Sequence, residues 1–220
     1  MTRIVEVVRH LSDVVVAKAT GLNSASYWNH RFSRNWELNG GPLQTALFAA
    51  GFCLAPVRTE LRPGTVLDFG CGCGDSTPLL RMRFPDARLH LFDFSMAAME
   101  RARRVYGGLA ECLGSVDGRE FDLVYCSNVV EHVADPRALV ALLAPRAKRH
   151  LVIQAPHDER HPDGTQLSPA RPKGEHVATI GDDLVAHLHA FDWETLHTRV
   201  PVAWETGEQV IFVGTRRALG

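Results

Sequence analysis

Short apolar runs alternate along this chain with stretches whose apolar positions recur every three or four residues, and from Thr65 onward the alternation is regular. Thr65-Val66-Leu67-Asp68-Phe69 is a β-type run that ends in Gly70-Cys71-Gly72-Cys73-Gly74. Asp75-Ser76-Thr77-Pro78 then supplies capping side chains and a proline suited to a first helical turn. Beyond it the pattern predicts a strand over 88–92 ending on Asp93, a helix over 96–106, a strand over 121–126, a helix over 137–143 and a strand over 150–154. This order predicts an α/β fold with a parallel sheet. After a polar loop from Pro156 to Gly174, a helix is expected near 182–189. The runs 193–202 and 209–215 then predict a hairpin whose last strand enters the sheet antiparallel.

Upstream, Ile4, Val8, Leu11 and Val15 fall on one helical face, an aromatic and polar stretch from Asn23 to Phe32 has no clear period, and Gly40-Gly41-Pro42 precedes an apolar helix over 43–54. Residues 1–58 therefore read as an N-terminal helical cap attached to an α/β body over 59–220, the two forming one domain. Composition agrees: 220 residues, 45% of them apolar, suffice for one substantial core. With 24 Lys and Arg against 25 Asp and Glu, no global basic field recruits a nucleic-acid backbone. No apolar run is long enough to span a membrane, and the residues after Met1 do not pattern as a secretion signal. Five cysteines in apolar or glycine-rich surroundings suit a reducing compartment, so a cytoplasmic location is expected.

In an open parallel sheet a ligand sits beyond the carboxyl ends of the strands, where the first glycine turn meets a helix. Gly70 to Gly74 is that place. Asp75 stands where a dinucleotide fingerprint needs its last glycine, and Asp68 is awkward beside a pyrophosphate but suited to an ammonium group, so both argue against a nicotinamide-dependent oxidoreductase. Asp93, at the end of the second strand, is placed to accept hydrogen bonds from ribose hydroxyls.

The segments Val66 to Gly74, Leu91-Phe92-Asp93-Phe94-Ser95 and Phe121 to Val133, in this order and spacing, resemble the class I S-adenosylmethionine-dependent methyltransferases over roughly residues 60–215. The resemblance implies a Rossmann-like seven-stranded, mostly parallel sheet with helices on both faces and a C-terminal antiparallel hairpin. It also implies S-adenosylmethionine as cofactor. Gly70, Cys71 and Gly72 would approach its amino-acid tail, with backbone amides cradling it, and Asp68 would hold its ammonium. Asp93 would bind the ribose, Phe94 would pack on the adenine, Asp117 would reach the adenine amino group, and Ser127 and Asn128 would complete the site.

Asn128, Glu131 and His132 lie at i, i+3 and i+4, so a helix starting there would put them on one face at the crevice mouth. His132 is a candidate general base on an acceptor hydroxyl, with Glu131 beside it. The competing reading is that the pair caps and orients a loop. Metal-assisted small-RNA 2′-O-methyltransferases resemble this stretch, with Glu131, His132 and His176 as the matching ligands, but Asn128 replaces a carboxylate there and no metal is expected. His157, in the loop after the fifth strand, is a second base candidate. Tyr27, Trp28, Arg31 and Phe32 belong to a segment expected to act as a lid, unless their rings serve the core. Asn128-Val129-Val130 lacks the Pro-Pro-aromatic turn of amine methyltransferases, which favours oxygen in a small metabolite as the acceptor. Cofactor binding without turnover is the remaining alternative.

Overall fold

Val66-Leu67 and Leu123-Val124-Tyr125-Cys126 are continuous apolar runs without polar alternation, the signature of strands buried on both faces. The computed structural model describes residues 21–34, 36–200 and 207–217; the helix expected over 4–17 lies outside the described residues. Among the described residues, seven strands form one sheet in the order β3-β2-β1-β4-β5-β7-β6. The strands are β1 (Thr65–Phe69), β2 (Arg88–Phe92), β3 (Glu111–Cys112), β4 (Phe121–Ser127), β5 (Ala147–Pro156), β6 (Phe191–Arg199) and β7 (Glu208–Arg216). β3 to β5 pair in parallel around the central β1, whereas β7 runs antiparallel to both β5 and β6. The expected hairpin and its antiparallel last strand are therefore present.

Adjacent residues of each central strand feed opposite cores. Val66, Leu123, Tyr125 and Val152 pack with Phe52, Leu80, Met99 and Ala102, so that face is covered by α2 (Gly41–Leu54), α3 (Thr77–Arg83) and α4 (Met96–Tyr106). Leu67, Val124, Cys126, Leu151 and Ile153 pack on the other face with Val140 and Leu143 of α5 (Pro136–Leu143) and with Leu184 and Val185. Ser95 caps α4 by accepting from the Ala98 amide at 3.2 Å, and Asp135 caps α5 by accepting from Ala138 at 3.0 Å.

One expectation is corrected. The segment 182–189 is a chain of turns, not a helix: Leu184, Ala186 and Leu188 donate to the carbonyls three residues before them at 3.0–3.2 Å, enough to bury Leu184 and Val185 without an α-helix. β3, only two residues long, was not marked as a strand because so short a piece has no periodicity. α1 (Ala25–Arg34) lies against α4 and is the first helix among the described residues.

Candidate functional site

Beyond the carboxyl ends of β1, β2, β4 and β5 the chain encloses a cavity of about 660 Å³, within the range of small-molecule sites. Of the residues singled out in the sequence, Asp68, Gly70, Cys71, Gly72, Asp93, Phe94, Ser127, Asn128, Glu131, His132 and His157 all line it. Asp117 does not: it accepts from the Ser115 hydroxyl at 2.7 Å and faces Arg146 at 3.6 Å, with its side chain 90% exposed.

The glycine turn leaves β1 with positive φ at Gly70 (72°) and Gly72 (53°). A Cβ at Gly70 would stand 2.5 Å from Val129 Cγ2, and one at Gly72 would stand 3.3 Å from the Phe32 ring. The amides expected to cradle the amino-acid tail are engaged with the end of β2. Gly70 and Cys71 donate to the Phe92 carbonyl at 2.8 and 3.1 Å, and Gly72 donates to Asp93 Oδ2 at 2.9 Å. Asp93 also accepts from the Ser95 amide at 2.8 Å, so both carboxylate oxygens are aimed by the backbone. Burial raises its pKa against those two bonds.

Asp68, buried at the end of β1, accepts a short bond from the Ser76 hydroxyl. Burial pushes its carboxyl up to about 7, against the Ser76 bond and with help from Asp93. Such a group favours a cation alongside it. All five cysteines are free, and burial raises the Cys71 and Cys73 thiols, which keeps them protonated packing groups.

After β4, Asn128 takes a left-handed conformation (φ 54°) and Val130–His132 forms one 3₁₀ turn instead of the start of an α-helix. Asn128, Glu131 and His132 nevertheless reach the same cavity. His132 Nδ1 lies 3.0 Å from the Glu175 carbonyl, an acceptor only, so Nδ1 carries the proton and Nε2 is the free lone pair. Burial, followed by His176, pulls the His132 pKa down to about 4. Its neighbour Glu131 is 1% exposed, and neither carboxylate oxygen has a hydrogen-bond partner. Burial pushes Glu131 up to about 7. One ligand atom each from Glu131, His132 and His176 falls within 4.8 Å of the others, a spacing that a divalent ion can bridge.

Of the residues on the remaining wall and their partners, the sequence points to His176, Tyr27 and Arg31, but not to Lys173 or Glu175 or to the pairings between them. Glu159 bonds His176 and Lys173, the latter at 2.7 Å, and Glu175 takes Arg31 at 2.8 Å and the Tyr27 hydroxyl at 2.9 Å. Asn23 Nδ2 bridges the His132 and Glu175 carbonyls at 2.9 and 2.8 Å. These partners are up to about 150 residues apart in sequence, so no local signal announced their pairing. Tyr27 and Phe32 are buried, while Trp28, stacked on Phe32 at 5.4 Å and edge-on to His132 at 5.1 Å, lines the cavity together with Arg31 and Phe32.

A family model described as a methyltransferase domain matches residues 44–198. Trans-aconitate 2-methyltransferase of Methylobacterium radiotolerans is 35% identical over 141 residues, covering 60% of this chain and 53% of that protein. Malonyl-[acyl-carrier protein] O-methyltransferase of Hahella chejuensis is 32% identical over 98 residues, covering 41% of this chain and 35% of that protein. The chain thus spans about half, or less, of the length of these relatives. The plantazolicin methyltransferase in complex with S-adenosylhomocysteine superposes with a TM-score of 0.62 over 88% of this chain and 94% of that one, a likeness of fold at 15% identity.

Proposed function

The chain belongs to the methyltransferase-domain family, within the class I S-adenosylmethionine-dependent methyltransferases, and on that premise we propose that it transfers a methyl group from S-adenosylmethionine to an oxygen of a small metabolite. The cofactor's chemical contribution, when bound, is a methyl group already activated by a sulfonium. The residues fit it. Asp68, a buried carboxylate bonded to a hydroxyl, would hold the ammonium; Asp93, with its carboxylate fixed by two amides, would take the ribose hydroxyls. The loop would offer close backbone approach at Gly70 and Gly72, with Cys71 between them, and Phe94, 52% exposed at the cavity edge, would cover the adenine. Ser127 and Asn128 would line the passage between donor and acceptor.

The observation that carries the acceptor chemistry is the Glu131–His132 pair. A hydroxyl must lose its proton as its oxygen becomes methylated, and a neutral imidazole lies 3.9 Å from a carboxylate that has no other partner. The proton belongs to the pair as a unit, with His132 Nε2 as the accepting atom and Glu131 stabilising the resulting imidazolium. Trp28 and Phe32 keep water from this corner.

Although several relatives are named for trans-aconitate, the wall here does not suit a polyanion. Arg31, Arg160 and Lys173 are each paired already, with Glu175, Asp158 and Glu159 at 2.7–2.8 Å, and Glu131 adds a further carboxyl group. A neutral or cationic hydroxylated molecule fits better.

The test is calorimetry with S-adenosylhomocysteine, followed by labelled methyl transfer onto a panel of hydroxylated metabolites that includes trans-aconitate. Binding is expected, as is transfer to a hydroxyl that declines as pH falls through about 7, where the pair takes up its proton. Absence of binding would sink the donor assignment, and preferential methylation of trans-aconitate would sink the acceptor class. Transfer abolished by a chelator would move Glu131, His132 and His176 from proton transfer to cation binding.

A further inference from the structure

At the rim of the same cavity, three side chains from separate parts of the chain converge without a role in the chemistry above. His157 follows β5, Asp182 lies in the chain of turns before β6, and His197 is on β6. Both imidazoles present Nε2 to one oxygen, Asp182 Oδ1, each at 3.3 Å, and their rings stand at 74° with centroids 4.5 Å apart. We propose that His157, Asp182 and His197 form a binding site for a divalent transition-metal ion of the zinc class.

At 3.3 Å both contacts are longer than a good N–H···O bond, yet this is the separation of two ligands on one tetrahedral ion. Zinc–nitrogen and zinc–oxygen bonds of about 2.0–2.1 Å place neighbouring ligand atoms about 3.3–3.4 Å apart. All three ligand atoms lie within 4.8 Å of one another, so an ion can enter with small side-chain adjustments. Two imidazoles and one carboxylate are a donor set that zinc, cobalt and nickel favour over magnesium or calcium.

The backbone holds the ligands in place. The His157 amide donates to the Glu208 carbonyl on β7 at 3.1 Å, and the next amide, Asp158, donates to the Ile180 carbonyl at 2.8 Å, which fixes His157 beside the turn that carries Asp182. His197 is paired with Val210 in the β6–β7 ladder. Asp182 and His197 side chains are 62% and 50% exposed, which gives the ion an entry path and leaves its fourth position to water or an anion. His157 also lines the cavity, so its Nε2 cannot serve both as a ligand and as the second base expected from the sequence.

The proposal does not rest on methyl transfer, and its test is independent of turnover. The full chain, stripped with a chelator, is titrated with zinc chloride by calorimetry, and the zinc-loaded protein is examined by X-ray absorption. The expected result is low-micromolar binding with two imidazole nitrogens in the first shell. His197→Gln and Asp182→Asn, neither at a cavity-lining position, are each expected to weaken it by at least about tenfold, with circular dichroism showing an unchanged fold. Glu131→Gln, in the other cluster able to take a cation, should leave this zinc in place. Three results would overturn the site: no binding by the unaltered chain, equal binding by the chain and both rim variants, or zinc lost with Glu131→Gln alone.

Discussion

Glu131 carries the clearest conflict between folding and function in the molecule. Its carboxylate is buried and lacks a hydrogen-bond partner, and burial raises its pKa to about 7. An acid whose folded pKa lies above its unfolded value is held most comfortably when protonated, so its ionisation opposes folding increasingly as pH rises from about 4.5 to about 7. Glu131→Gln is therefore expected to raise the melting temperature at pH 8, by about 2–4 °C for each kcal/mol relieved, and to leave it unchanged near pH 4. The same variant should lose most of its methyl-transfer rate. Differential scanning fluorimetry across pH, beside a turnover assay, checks both; a destabilised variant at pH 8 would refute the conflict. The residue was legible because it sits beside a histidine just after a strand on the ligand side of a parallel sheet. Asp68 and Asp93 were legible for the same reason, each ending a strand that feeds the cavity. Asp117, brought to the adenine only by the family resemblance, does not line the cavity and faces Arg146.

At the level of elements, the turn between β1 and α3 does more than permit close approach. Its amides bind the end of β2, at the Phe92 carbonyl and Asp93, so donor-site geometry and sheet register are one structure. A side chain at Gly70 would strike Val129, which adjoins Asn128 on the acceptor side. Gly70→Ala is expected to cost about 1–2 kcal/mol for a left-handed residue and about 1–3 kcal/mol more for the overlap, and to weaken S-adenosylhomocysteine binding. Gly108→Ala and Gly114→Ala, where an added Cβ meets nothing within 4 Å, should be silent in denaturant melts and calorimetry. Most helices and strands of five or more residues are readable from period, but α1 (Ala25–Arg34) is not, because its mixed aromatic and polar residues show no clear period. The turns over 182–189 were mistaken for a helix because Leu184, Val185 and Leu188 mimic a helical face, although their bonds reach back three residues instead of four. The 3₁₀ turn at Val130–His132 escaped notice because three residues hold too little pattern to separate it from an α-helix.

On the scale of the molecule, the cap is joined to the α/β body by part-buried polar contacts between distant residues. Asp75, which in the sequence reads as a missing glycine and as a capping side chain, accepts from Trp36 Nε1 at 2.7 Å and from the Tyr106 hydroxyl at 2.9 Å, joining the segment between α1 and α2 to α4. Asn29 Oδ1 accepts from the Ser95 hydroxyl at 2.8 Å beside it. Asp75→Ala would strand two donors, each at a cost of about 1–3 kcal/mol. It is expected to speed hydrogen exchange across residues 25–40 while the amides of β1 and β4 keep their protection; mass spectrometry of exchanged peptides decides. These long-range contacts were invisible in the sequence, since tryptophan, tyrosine and aspartate 31–39 positions apart share no local signature. The connection between β5 and β6, which has no helix or long strand of its own, supplies Glu159, Lys173, Glu175 and His176 to the cavity, whereas Asp68, Asp93 and the glycine turn come from a different stretch of chain. Because the two halves are encoded separately, grafting that single connection from one homologue to another would exchange substrate preference while donor affinity stayed constant, a modularity by which one scaffold can diversify through recombination at a single insertion point.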